Sequence, residues 1–99
     1  MAAKAKAGAD APAALTVEGH EVAVDTAALG KWSTFAHVRA IADPSVDDFA
    51  KISEAFAFAE EVCGLSEADI VRMCGGGDAT TDSVMGFVGA LIKAAYPKN

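Results

Sequence analysis

The segment formed by residues 15–25 restricts the fold most, because its large apolar residues alternate with polar or small ones. The apolar members of this alternation are Leu15, Val17, Val22 and Val24. A two-residue loop at Gly19 and His20 places all four on one face of a β-hairpin, with Val17 opposite Val22. Glycine at the first loop position suits the positive φ of a type II′ turn. A single hairpin is unstable in water, so we expect helices to cover its apolar face.

Helical periodicity dominates the rest of the chain. Apolar residues recur every three to four positions in the ranges 27–42, 45–63, 66–73 and 81–95. The residues predicted to cap these helices are Asp43 or Ser45, Gly64, Ser66, and Thr81 or Asp82. The sequence therefore predicts an α+β fold that is mainly α, with an N-terminal β-hairpin packed on about four helices.

The supply of large side chains limits the chain to one core. Its 99 residues include 23 alanines and 29 larger apolar residues. Residues 1–13 consist almost entirely of Ala, Lys, Gly and Pro, so ordering them would cost conformational entropy with little return. We predict a disordered tail over residues 1–13 and a single small domain over residues 14–97.

Two of the predicted helices carry most of the aromatic side chains. At about 100° per residue, the inward side of helix 27–42 is predicted to contain Leu29, Trp32, Phe35 and Ala36. The inward side of helix 45–63 is predicted to contain Phe49, Ile52, Phe56 and Cys63. Phe58 points almost opposite to Phe49 and Phe56, so either it packs against another helix or it is exposed to a partner. Phe58 is our candidate partner-binding residue.

Acidic residues outnumber basic ones, and the net charge is −6. Between Asp43 and Asp82, ten acids and two bases give a local charge of −8. Such a surface repels phosphate backbones and anionic lipids, so we expect neither nucleic acid nor a membrane as a partner. No apolar stretch typical of a signal peptide follows the first residues, which favours a cytoplasmic location.

Residues able to bind metal or act as nucleophiles are few. The soft metal ligands are Cys63, Cys74, His20 and His37, and no two of them have the spacing of a structural zinc site. We expect Cys63 in the core and Cys74 at a helix C-terminus, where the helix dipole disfavours a thiolate. The glycine run at residues 75–77 lacks the Lys-Ser/Thr of a phosphate-binding loop. We therefore predict no metal site, no cofactor, no catalytic residues and no enzymatic activity.

Three local patterns stand out in this order of elements. Residues 17–24 read V-x-G-x-x-V-x-V, Trp32 and Phe35 form a W-x-x-F/L start to the first long helix, and residues 84–92 form an apolar final helix. In these patterns and their order the chain resembles the small tail assembly chaperones of long-tailed bacteriophages. The resemblance covers about residues 15–96 and consists of spacing and order rather than a catalytic motif.

This resemblance implies a non-enzymatic role in the cytoplasm of a bacterial host. Members of the family coat the long, aggregation-prone tape measure protein before tail tube subunits polymerise around it. The tape measure protein is therefore the expected partner, and the tail tube protein is a further candidate. The resemblance also implies self-association into a homo-oligomer.

Two other classes of protein stay open on the sequence alone. One is a structural head–tail connector subunit of a phage, and the other is a small helical adaptor or regulator of bacterial origin. A tape measure gene directly downstream would favour the chaperone. Presence in purified virions would favour the connector.

Overall fold

The computed structural model describes residues 13–96. The predicted tail over residues 1–13 lies outside the described residues, except for Ala13, which begins the first strand. In chain order the elements are β1 (Ala13–Val17), β2 (His20–Val24), α1 (Thr26–Leu29), α2 (Trp32–Ala42), α3 (Asp48–Cys63), α4 (Glu67–Met73) and α5 (Thr81–Ala95), with a 3-10 turn at Gly76–Asp78. An antiparallel hairpin joined to a mainly helical body confirms the predicted α+β class.

The hairpin forms as predicted, but its turn lies one residue earlier. Glu18 and Gly19 occupy the loop with φ angles of 49° and 85°, and positive φ at both positions is typical of a type I′ turn. Val17 consequently pairs with His20, and the predicted pairing of Val17 with Val22 is wrong. Every partner shifts by two residues. Because side chains alternate with a period of two, the same apolar face still points inward.

The predicted helix over residues 27–42 is divided into α1 and α2. Asp25 caps α1, its carboxylate accepting the Ala27 N–H at 3.0 Å, and Gly30 ends it. Lys31 is extended, with φ −81° and ψ 144°, so α2 begins in a new direction at Trp32. The rotation of α2 is therefore independent of α1.

Helix α2 lies antiparallel to α3 and turns a different side inward from the one predicted. Thr34 is fully buried, and His37, Val38 and Ile41 are half-buried at spacings of three and four residues. By contrast, Trp32 is 67% exposed and Phe35 is 43% exposed. The prediction that these two aromatic residues face the core is wrong, because it assumed one continuous helix from residue 27.

Helix α3 also presents a different side to the core. Its buried residues are Ala55, Phe58, Ala59 and Val62. Phe49, predicted to be inward, is 85% exposed, and Ile52, Phe56 and Cys63 are half-buried. Phe58 is 0% exposed, and its ring centroid lies 6.4 Å from that of Tyr96. Of the two predicted positions for Phe58, exposure to a partner is therefore wrong, and packing against other elements is what the structure shows. The choice of Phe58 as the partner-binding residue depended on its being exposed.

The helix ends follow from local capping, with two differences from the predicted caps. Asp47 caps α3 by accepting the Ala50 N–H at 2.8 Å. Asp43 instead accepts the N–H and the hydroxyl of Ser45, so neither of these predicted residues caps the helix. Gly64 ends α3 in the left-handed conformation, as predicted.

The two C-terminal helices begin with capping boxes. Ser66, predicted to cap this helix, forms a capping box with Asp69 at the start of α4. Helix α5 is capped by Thr80 with Ser83, one residue before the predicted position. These closed reciprocal hydrogen bonds satisfy backbone N–H groups that a helix would otherwise leave unpaired.

The core forms where the hairpin meets α3 and α5. It contains Val17, Val22, Val24, Ala28, Ala55, Phe58, Ala59, Val62, Ile70, Val84, Phe87, Val88 and Leu91. The His20 ring packs edge-on against Phe87 at 6.2 Å between centroids. The Asp25 N–H donates to the Val62 carbonyl at 2.8 Å, and the Tyr96 hydroxyl donates to the Leu29 carbonyl at 3.0 Å. These contacts hold the hairpin, and Tyr96 at the C-terminal end of the described part, to the helical body.

Candidate interaction surface

An open groove of about 240 Å³ runs between α3, α4 and α5. Ile52 and Phe56 form its α3 wall, Val71 lies on α4, and Val84 and Met85 lie on α5. A neighbouring hollow of about 260 Å³ shares Ile52 and Met85 with the groove. The two hollows are therefore adjacent, and we call them together the trough.

Phe49 lies on the side of α3 that also carries residues lining the trough. It precedes Phe56 by seven residues, so at about 100° per residue the two side chains lie within about 20° of each other around α3. Ile52 lies between them in the sequence and lines the trough. Phe49, Ile52 and Phe56, which we call the α3 stripe, were predicted as core. They form instead a half-covered apolar surface that ends in an aromatic side chain 85% exposed to solvent.

Carboxylates surround this apolar surface. Glu67, Asp48 and Asp82 line the trough, each from the first turn of a different helix. Lys51 is the one basic residue among the trough's lining residues. Hydrogen bonds from the Ser45 N–H and hydroxyl lower the pKa of Asp43, and the charge of Lys51 adds a smaller effect in the same direction. The lining of the trough therefore carries a net negative charge.

A separate polar cluster joins α2 to α3. His37 Nδ1 lies 2.5 Å from Glu54 Oε1, and His37 Nε2 lies 3.5 Å from Glu61 Oε1. The Ser33 hydroxyl donates to Glu61 Oε2 at 2.8 Å. This hydroxyl is bonded to a carboxylate and not to the imidazole, so the cluster lacks the serine–histidine contact that activates a nucleophile. Its role in the structure is to connect two helices.

Because of this cluster, we expect the free energy of unfolding to depend on pH in the acidic range. The hydrogen bond from Ser33 is the main cause of a lowered pKa at Glu61, below its ordinary value of 4.5. A carboxyl group with a depressed pKa stabilises the fold above its unfolded pKa, and this contribution is lost as pH falls through the folded pKa. We expect Ser33→Ala to unfold at lower urea concentration than the unchanged protein at pH 7, with the difference shrinking below pH of about 4.

Urea titrations of both proteins at several pH values measure this difference. Ser53→Ala is a suitable control, because Ser53 is exposed and is not one of the residues that form the cluster. A Ser33→Ala deficit that stays constant from neutral to acidic pH would show that the Glu61 hydrogen bond is not its origin.

The cysteines and histidines do not combine into a reactive site. Burial raises the pKa of Cys63 to about 11, and burial together with the charge of Glu18 raises the pKa of Cys74. Both thiols are free. Raised pKa values keep them protonated and therefore weakly nucleophilic at neutral pH. Across residues 13–96, no group of three or more His, Cys, Asp or Glu side chains is arranged to hold a metal ion.

A second exposed aromatic surface lies on α2. The Trp32 and Phe35 rings are 5.6 Å apart between centroids, and the Arg39 guanidinium lies 5.7 Å from the Trp32 centroid. Arg39 stacks on the exposed indole, where the attraction is worth about 0.5–1 kcal/mol.

Sequence reasoning therefore missed the α3 stripe as a surface, although one signal for it was present. Ala55, Phe58, Ala59 and Val62 also recur at helical spacing, and the two alanines allow neighbouring helices to approach closely. The sequence thus contained two competing inward sides for α3.

Comparisons with known proteins found no counterpart: no family model matches the chain, and neither curated proteins nor solved structures gave a significant match. Within the part of the chain that the structure describes, no helix is both long and apolar enough to cross a bilayer.

Proposed function

We propose that this protein is a non-enzymatic tail assembly chaperone of a long-tailed bacteriophage, which binds the tape measure protein in the cytoplasm of the bacterial host. The observation that carries the proposal is the α3 stripe, in which Phe49 is 85% exposed and Ile52 and Phe56 line an open trough. Large apolar side chains grouped at the surface are typical of protein interaction sites. The resemblance in element order to phage tail chaperones supports the tape measure protein as the partner.

The trough suits a helical segment of a partner. Groove-binding helices present apolar side chains at spacings of three and four residues, and the α3 stripe together with Val84 and Met85 offers apolar walls on two sides. Burying a side chain such as Phe49 in a complex contributes about 1.5–3 kcal/mol. A few contacts of this size give binding that is specific yet reversible, as a chaperone requires.

The groups described above support the non-enzymatic part of the proposal. Neither thiol is activated, and the Ser33 hydroxyl is paired with Glu61. The side chains at the trough are apolar, hydroxyl or carboxylate groups, with one lysine. Their arrangement supports binding rather than bond making.

Phe49→Ser tests the proposal. We expect the variant to bind the tape measure protein of the same phage about tenfold to a hundredfold more weakly, because it loses one buried aromatic contact in the complex. Its melting temperature should stay nearly unchanged, since an exposed side chain contributes little to the fold. Isothermal titration and a thermal melt of the same preparation give both quantities.

Trp32→Ser is the matched control, because Trp32 is 67% exposed but lies on α2 away from the trough. It should bind as the unchanged protein does. Full binding by Phe49→Ser, or an equal loss in both variants, would remove the trough as the binding site. Co-expression adds a cellular measure, since a chaperone should keep the tape measure protein in the soluble fraction.

A further inference from the structure

We propose that the trough selects a basic amphipathic helix, meaning a partner helix whose apolar stripe is flanked on both sides by lysine or arginine. The inference rests on the proposed function of the trough as a partner-binding site and adds the chemistry of the partner. It is carried by the position of carboxylates around an apolar depression.

The carboxylates approach the trough from different walls. Asp48 belongs to α3, whereas Glu67 and Asp82 belong to α4 and α5, and all three are exposed. If the apolar side of a partner helix contacts Ile52 and Met85, the residues that flank this side lie near carboxylates from more than one helix of the protein. Basic flanks would pair with these carboxylates, and acidic flanks would be repelled.

The one lysine of the trough does not reverse this charge. Lys51 is half-buried, and its charge acts on Asp43 in the loop between α2 and α3. The wider segment is also negatively charged, because residues 43–82 contain ten acids and two bases. A second copy of this chain is a poor occupant for the same reason, since its own α3 stripe begins beside Asp48 and its net charge is −6.

Two synthetic helical peptides provide the probe. Each has about 18 residues, or five turns, with an identical stripe of Leu and Phe, and the flanking positions are Lys in one and Glu in the other. We expect the Lys-flanked peptide to bind and the Glu-flanked peptide to bind at least about tenfold more weakly at low salt. Binding of the Lys-flanked peptide should weaken between about 50 and 500 mM salt, because exposed charge pairs are screened.

A triple variant, Asp48→Asn with Glu67→Gln and Asp82→Asn, tests the carboxylates directly. From the usual strength of exposed ion pairs, it should bind the Lys-flanked peptide between about threefold and a hundredfold more weakly. The matched control is Glu21→Gln with Glu60→Gln and Asp78→Asn, which removes the same charge from exposed positions outside the trough. The control should retain nearly full affinity.

The three trough carboxylates also lie in first helical turns, where negative charge stabilises a helix. Thermal melts of both triple variants therefore accompany the titrations, and affinities are compared at a temperature where each protein is folded. Phe49→Ser should weaken binding of the Lys-flanked peptide as well, which places the peptide in the trough.

Equal binding of both peptides, or equal losses in the two triple variants, would overturn the selectivity while leaving the proposed function intact. If neither peptide binds but the tape measure protein does, the preference for a basic helix is wrong and the proposed function still stands. If the protein self-associates and Phe49→Ser makes it monomeric, a second copy occupies the trough and the inference is also overturned. Failure of the tape measure protein itself to bind would contradict the proposed function separately.

Discussion

Replacing Phe58 by alanine is expected to lower the free energy of unfolding by about 3–5 kcal/mol. The side chain is completely buried at the centre of α3 and packs against Tyr96 near the end of the described chain. Removing its ring leaves a cavity that the surrounding helices can fill only in part. For a domain of this size, such a loss is a large fraction of the total stability, so part of the population should be unfolded at 37 °C.

Phe49→Ala is a matched control for this experiment, because it makes the same chemical change on the same helix at a position that is 85% exposed. Its effect should lie within about 0.5 kcal/mol of zero. Urea denaturation of the two variants measures both values. Similar decreases in the free energy of unfolding for the two variants would mean that α3 does not turn Phe58 toward the core and Phe49 toward solvent.

Replacing Ile70 by alanine is expected to cost about 2–5 kcal/mol and to loosen α4 first. Within the seven residues of α4, Ile70 is the one that is fully buried. Without this anchor the helix depends mainly on its capping box, and a helix of two turns has little stability of its own. Amide hydrogen exchange over residues 67–73 should accelerate more than exchange over residues 55–62.

The loosening of α4 should also reach the trough, because α4 contributes Glu67 and Val71 to its lining. Binding of the tape measure protein should therefore fall together with protection of α4. Arg72→Ala provides the control, since Arg72 is on the same helix but exposed and paired with Asp69 at 2.6 Å. Uniform acceleration of exchange across all helices in Ile70→Ala would show that α4 does not open separately.

The parts of the fold that sequence predicted well depend on residues close together in the chain. Alternation around Gly19 determined the inward face of the hairpin even though the turn itself lies one residue earlier. Gly64 ends α3 and Ser66 opens a capping box because each forms its hydrogen bonds within a few residues. Helix α5 was also predicted well, since glycines and Lys93 leave it a single apolar side.

The candidate site could not be predicted because it depends on how α3 is rotated. The α3 stripe and the side containing Phe58 both have helical spacing, and the hydrophobic effect has no direction that would choose between them. Judged by side-chain size alone, the stripe with Phe49, Ile52 and Phe56 is the stronger candidate for burial. The sequence-based prediction followed this preference and placed the surface and the core on the wrong sides.

Sequence by itself determined the class of fold, the inward face of the hairpin, most helix ends and the acidic character of the surface, because each follows from local geometry or from composition. Tertiary structure alone decided the rotation of α2 and α3, and with it the burial of Phe58 and the exposure of Phe49 and Trp32. The physical reason is close packing. The small side chains of Ala55 and Ala59 let neighbouring elements approach α3, and the Phe58 ring fills the space between α3 and those elements. Such complementarity belongs to several segments at once and cannot be read from any one of them.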